Sequence, residues 1–173
     1  MKNELALRIY EAAHLIGEFY LRSGMVSSEY FDKYLFESDS KLLIEIAREM
    51  EKLIPDETEV IAGLEMGGIP LVTALSILTN KKAVYVRKKA KEYGTCKIAE
   101  GVSIAGKKVC VIEDIVTTGG QIVKSVDELR KRGADIDTVL CVIQRNEEAS
   151  ETLRKKRLEL KPLFTMKYIE SQL

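Results

Sequence analysis

Glu113 and Asp114 stand side by side between an apolar run, Val109-Cys-Val-Ile112, and a turn of small residues, Thr117-Thr118-Gly119-Gly120. That order suits a phosphorylated sugar. Glycines let backbone N–H groups approach a phosphate closely, and threonine hydroxyls can donate beside them. Beyond the turn, Ile122, Val126 and Leu129 repeat at helical spacing, Arg130-Lys131-Arg132 fill a last turn, and Gly133 is the expected stop. The turn therefore ends at a helix N-terminus, where four unpaired N–H groups and the positive end of a dipole face the same anion. The two carboxylates suit another task. They can accept hydrogen bonds from adjacent ribose hydroxyls and favour a developing cation. Phosphate on the turn and hydroxyls on the acids describe a ribose 5-phosphate site; a solvated strand end before an ordinary βα turn is the plainer alternative.

Two further stretches could serve the rest of such a substrate. Gly63-Leu-Glu-Met-Gly-Gly-Ile-Pro70 is a second glycine-bearing turn, with Pro70 fitting the first turn of a helix that runs to about Thr79. Taken alone it is a weak motif. Between Arg87 and Lys97 lie five cations, Arg87, Lys88, Lys89, Lys91 and Lys97. Such a run is usually a solvated face, but at this density the charges repel one another unless an anion is present, and a diphosphate with magnesium is the obvious guest. Arg145 follows the apolar run 136–143, at the carboxyl end of a strand, where open parallel sheets place their ligands. Its planar guanidinium could grip a carboxylate with two hydrogen bonds, or pair at the surface with Glu147 or Glu148.

These groups need a scaffold. A chain of 173 residues can bury one core, and 46% apolar content is ordinary for a globular domain. Lysine plus arginine equals aspartate plus glutamate at 27 each, so no overall field recruits nucleic acid or membrane. The sequence shows neither a signal peptide nor a membrane-spanning run, and its three cysteines have no CxxC spacing; the cytoplasm is the expected compartment. Cys110 and Cys141 lie in apolar runs and Cys96 in a polar loop. Apolar spacing predicts a helix over 4–20 with Leu5, Ile9, Ala12, Ala13, Ile16 and Phe19 inward, and His14 at its boundary. It predicts another over 39–54, capped by Ser38 or Asp39, and a charged helix over 147–159. Strands are expected at 30–32, 59–62, 83–86, 109–112, 136–143 and 162–166. Strands and helices alternate, which gives an α/β class with a mostly parallel central sheet flanked by helices.

The string around Glu113 to Gln121 resembles the phosphoribosyl-pyrophosphate (PRPP) signature of type I phosphoribosyltransferases. Arg87-Lys-Lys-Ala-Lys-Glu-Tyr-Gly94 is similar to the mobile catalytic loop of the orotate phosphoribosyltransferases within that family, with Tyr93 where histidine is frequent. Leu21-Arg-Ser-Gly24 and the aromatic pair Tyr30-Phe31 resemble the N-terminal hood that covers the base, with Arg22 in place of lysine, Met25 where a basic residue is common and Ser28 where proline is common. Gly67 stands where some members carry a lysine, so a basic contact there must come from elsewhere.

The resemblance implies the type I phosphoribosyltransferase fold as a single domain over 1–173, its small hood formed largely by 1–36. It implies transfer of a phosphoribosyl group from PRPP to orotate, with Lys91, Lys88, Glu113 and Asp114 catalytic. Arg22, Arg87, Lys88, Lys91, Tyr93, Glu113, Asp114 and the run Ile115, Val116, Thr117, Thr118, Gly119, Gly120, Gln121 would hold PRPP. Thr117, Arg145, Tyr30 and Phe31 would hold orotate. Mg²⁺ is expected to arrive on PRPP, with no ligand from the chain assigned. The loop over 87–101 would act in trans within a homodimer. The alternatives are a purine or uracil phosphoribosyltransferase, and a PRPP-sensing transcriptional regulator, which would need a nucleic-acid surface that the charge balance does not supply.

Overall fold

The computed structural model describes residues 2–20, 24–89 and 98–173. Its centre is a six-stranded sheet formed by β3 (Val60–Leu64), β4 (Lys82–Val86), β5 (Ala99–Gly101), β6 (Lys108–Val116), β7 (Asp135–Gln144) and β8 (Glu159–Thr165), numbered after a separate N-terminal hairpin. The strand order is β5-β4-β3-β6-β7-β8, parallel throughout except for the antiparallel edge strand β5. That edge strand is absent from the sequence reading; at three residues it is too short to show a period. The remaining strands fall where apolar runs placed them, because strands covered on both faces need continuous β-branched runs.

Helices cover both faces. On one lie α1 (Lys2–Ala13), α3 (Ser40–Glu51), α4 (Gly68–Thr79) and α7 (Met166–Glu170). Ile9, Ile46, Leu71 and Leu75 bury there against Cys110 and Ile112. On the other, α5 (Gly120–Arg130) and α6 (Glu148–Arg154) bury Ile122, Val126, Leu129 and Leu153 against Val109 and Val111. Alternation along 109–112 thus sends Cys110 and Ile112 to one core and Val109 and Val111 to the other. Asp39 caps α3 by accepting from the N–H groups of Lys41 and Leu42. The carboxyl end of α5 is fastened by Arg130, whose guanidinium donates to the carbonyls of Ile136 at 2.5 Å, Lys156 at 2.9 Å and Arg157 at 3.5 Å.

The helix expected over 4–20 is corrected. It ends at Ala13, and His14–Tyr20 form β1, paired antiparallel with β2 (Val26–Phe31) in a two-stranded hairpin. Ile16 is 83% exposed rather than inward. Leu15, Ile16, Phe19 and Tyr20 satisfy helix and strand templates equally over so short a span, and cross-strand pairing decides. His14 lies at the junction, 3.2 Å from Glu29 across the hairpin. The helix expected over 147–159 is shorter, 148–154, and β8 begins at Glu159. A helix that the sequence reading lacks, α2 (Lys33–Ser38), follows the hairpin, and Asp32 caps it by accepting from the Tyr34 N–H.

Candidate functional site

Strand β6 runs on through Val116, so Glu113 and Asp114 lie inside it rather than after it. At its end Gly119 adopts φ +78° as the N-cap of α5. This left-handed conformation admits glycine without strain and lets the chain reverse directly into the helix. Glu113 and residues 115–122 line a hollow of about 200 Å³ at the carboxyl end of the sheet. Thr117 and Thr118 are exposed at its rim, and the free N–H groups of α5 open onto it. The turn, the helix end and one carboxylate are therefore assembled as a ribose phosphate would need them.

The acid pair is divided, contrary to the expectation that both carboxylates meet the sugar. Consecutive side chains of a strand point to opposite faces. Glu113 opens on the hollow, while Asp114 turns to the other face and is 1% exposed. There Lys33 Nζ lies 2.5 Å from Asp114 Oδ2. The ion pair is off the direction of a hydrogen bond, so this oxygen has no aligned donor. Asp114 Oδ1 accepts from the Ile115 N–H. Burial opposes the charge on Lys33, but contact with Asp114 prevails and raises its pKa. Burial, then the adjacent Asp114, pushes Glu113 well above the usual carboxylate range. Glu37 is 6% exposed beside this group, and its Oε1 also lacks a donor. Burial first, then the charge of Asp114, pushes Glu37 up to about 8.

Lys33 and Glu37, which meet Asp114, are side chains that the sequence reading missed. Their spacing of four, just after a capping Asp32, was the available signal: it places both on one face of a helix. The second glycine turn completes the arrangement. At Gly67 an added Cβ would fall 1.4 Å from Asp114 Oδ2 and 2.7 Å from Glu37 Oε1. The backbone there is ordinary, with φ −67°, so glycine is required for room and not for conformation. The space that a side chain at this position would need is filled by these two oxygens, and the nearby cation is Lys33 of α2, paired with Asp114. The Glu65–Met66 peptide in the same turn is cis.

Arg87 follows β4, its N–H donates to the Ile98 carbonyl at 2.8 Å, and its side chain lies 3.4 Å from Glu100. The Lys88 N–H donates to Glu65 at 2.9 Å, which joins the start of the cationic stretch to the second glycine turn. Lys91, Tyr93 and Arg22 lie outside the described residues, as do Cys96 and Lys97. The Arg145 N–H donates to the Val116 carbonyl at 2.8 Å, so Arg145 emerges next to Thr117. Its neighbour Gln144 is fixed by donating to the Asn146 carbonyl at 3.0 Å and Ser150 Oγ at 2.8 Å. Among the described residues the exposed Arg145 guanidinium has no carboxylate partner, so the surface pair with Glu147 or Glu148 is not formed. Tyr30 and Phe31 part as the acids do: Phe31 packs toward Tyr10 and the core, while Tyr30 is exposed and leans on Phe19 at 5.4 Å.

A larger hollow, about 790 Å³, lies elsewhere, lined by Asp137, Thr138, Glu159 and Arg154 among others. It sits at the amino ends of β7 and β8, the end opposite to where open α/β sheets bind ligands, and it has no glycine turn. Among the described residues no group of three or more His, Cys, Asp or Glu side chains is placed to hold a metal. Cys110 and Cys141 are buried, and burial pushes the Cys110 thiol up to about 12.

Known proteins are similar to this chain in sequence and fold. The family model for the phosphoribosyl transferase domain matches residues 36–168. An orotate phosphoribosyltransferase of Nocardioides sp. is 50% identical over 161 residues, covering 93% of this chain and 90% of the relative. That of Methanocaldococcus jannaschii is 41% identical over 155 residues, covering 90% and 88%. Among solved structures, the Mycobacterium tuberculosis orotate phosphoribosyltransferase in complex with Fe(III) dicitrate superposes with a TM-score of 0.85 at 26% identity, covering 97% of this chain and 98% of that one. The Aeropyrum pernix orotate phosphoribosyltransferase gives 0.79 at 29% identity, covering 97% of each chain.

Proposed function

The chain belongs to the orotate phosphoribosyltransferase family, and on that footing we propose that it transfers the 5-phosphoribosyl group of PRPP to orotate, giving orotidine 5′-monophosphate and pyrophosphate for pyrimidine-nucleotide synthesis. The observation that carries the reading is the hollow shared by Glu113 and the 117–121 turn, with Arg145 tied to Val116 at its edge. A phosphate, a sugar and a carboxylated base fit that sequence of partners.

The roles follow from charge and position. Residues Thr117 to Gln121 anchor the 5′-phosphate through backbone N–H groups, hydroxyls and the end of α5. Glu113 accepts from the ribose hydroxyls. As the C1–oxygen bond to pyrophosphate breaks ahead of attack by the base nitrogen, the positive charge spreading over C1 and the ring oxygen favours the carboxylate form of Glu113 over the acid form that burial and Asp114 favour beforehand, and is stabilised by it in turn. Asp114, on the hood side, adds negative field beneath the sugar while holding Lys33. Arg87, Lys88 and Lys91 meet the departing diphosphate. Mg²⁺ carried on PRPP would neutralise part of that charge. Arg145, beside Thr117, takes the orotate carboxylate. We place the enzyme in the cytoplasm as a homodimer in which the 87–101 segment acts on the partner's site.

Mixing the protein with PRPP, Mg²⁺ and each candidate base in turn tests the assignment: orotate alone should be consumed. Arg145→Ala should raise KM for orotate about tenfold to a hundredfold, the worth of a charged hydrogen-bonded pair, and leave PRPP binding intact. Unchanged orotate kinetics in that variant would point to a base without a carboxylate.

A further inference from the structure

We propose that Glu37 is a positioning residue for this site: it stays protonated and donates its carboxyl hydrogen to Asp114 Oδ2, forming an acid pair that locks the hood helix α2 onto the sugar-binding strand. Three observations lead there. Glu37 Oε1 and Asp114 Oδ2 are both buried and both lack an aligned donor. Buried carboxylate oxygens seldom go without one, and a proton shared between the two answers both vacancies at once. The same two oxygens would be the first met by a Cβ at Gly67, so they converge on one small space. Finally, among the described residues Lys33 is the one cation paired with Asp114, while Glu37 crowds the same point. One ammonium cannot compensate two buried negative charges, whereas it can compensate one once a proton is retained between them.

From the elements packed round it, the charged groups acting on Glu37 are Asp114 of β6, and Lys33 and Asp32 of its own helix and cap. Burial first, and then the charge of Asp114, favours the neutral acid at neutral pH and raises the pKa to about 8. The sign of the linkage follows. A carboxyl raised from 4.5 to about 8 contributes stability that is whole below its ordinary range and is lost as pH climbs through about 8. On that alkaline side a second charge appears against Asp114, the pair opens, and β6 loses its fixed end. The consequence for PRPP rests on the function proposed above; the acid pair itself does not.

The test compares wild type, Glu37→Gln and Glu37→Ala. In infrared difference spectra of wild type minus Glu37→Gln, we expect a protonated-carboxyl band at neutral pH that disappears as pH passes about 8. PRPP affinity by calorimetry should fall across the same range in wild type. It should be flat in Glu37→Gln, whose amide still donates to Asp114. Glu37→Ala, which leaves Asp114 Oδ2 with the Lys33 ammonium alone, should bind PRPP about tenfold more weakly than Glu37→Gln at neutral pH. If Glu37→Ala does not fold, the glutamine variant decides. A carboxylate band at neutral pH, or an alkaline fall unchanged in Glu37→Gln, would overturn the proposal. Orotate turnover is measured alongside: its absence from wild type while the band is present rejects the function and leaves the acid pair, and the converse rejects only the pair.

Discussion

Gly67→Ala is expected to lose about 3 kcal/mol of stability and about a hundredfold in turnover, although it adds a single methyl group. The carbon would fall 1.4 Å from Asp114 Oδ2, well inside any permitted contact. Surface glycines tolerate alanine because a flexible neighbour yields. Here the neighbour is a buried carboxylate held by Lys33 and by the Ile115 N–H, and behind it stands Glu37. Either Asp114 moves, separating the charges on α2 and β6, or the 65–68 turn backs away from the sheet. Both disturb the strand that carries Glu113. Denaturant midpoints and PRPP-dependent turnover measure the two effects. Because the clash is with one side chain, Asp114→Ala in the same molecule should restore part of the lost stability, a coupling between sites in contact. A Gly67→Ala protein as stable and active as wild type would mean that the turn does not pack against Asp114.

The second large effect is expected at Lys91. If this cation meets the diphosphate chiefly as it departs, Lys91→Ala should lower kcat about a hundredfold to a thousandfold while changing the Kd for PRPP less than tenfold. Single-turnover rates and equilibrium binding separate the two quantities, and equal losses in both would assign Lys91 to ground-state binding. The same variant tests the shared site. Mixed with Glu113→Ala, it should regain activity through hybrid dimers, since one site then combines an intact loop with an intact sugar grip. Two inactive proteins that stay inactive after exchange of subunits would place the loop in its own subunit's site.

Much of this molecule was legible in its sequence because two strong local signals coincide. Continuous β-branched runs marked β3, β4, β6 and β7, and the acid–threonine–glycine string marked the turn at the end of β6. What was not legible depended on contacts distant along the chain. His14–Tyr20 became a strand because Val26–Phe31 pairs with it, which a 3.6-residue spacing does not reveal. Glu113 and Asp114 read as one acidic unit, yet the pleat sends them to opposite faces once β6 is seen to continue through them. Gly67 read as a departure from the family at a basic position. Its meaning lies in the oxygens that fill the space and in Lys33, thirty-four residues earlier in the chain, which supplies the cation. Short helices such as α2 bury too little for their period to stand out, and only the Asp32 cap and the Lys33–Glu37 spacing foreshadow it.

The fastening of Arg130 to three carbonyls has a consequence for how the substrate is received. It pins the tail of α5 to the start of β7 and to the chain entering β8, so the head of that helix is held from behind before any ligand arrives. A phosphate docking there meets amides already aimed, and little of its binding energy goes into ordering them.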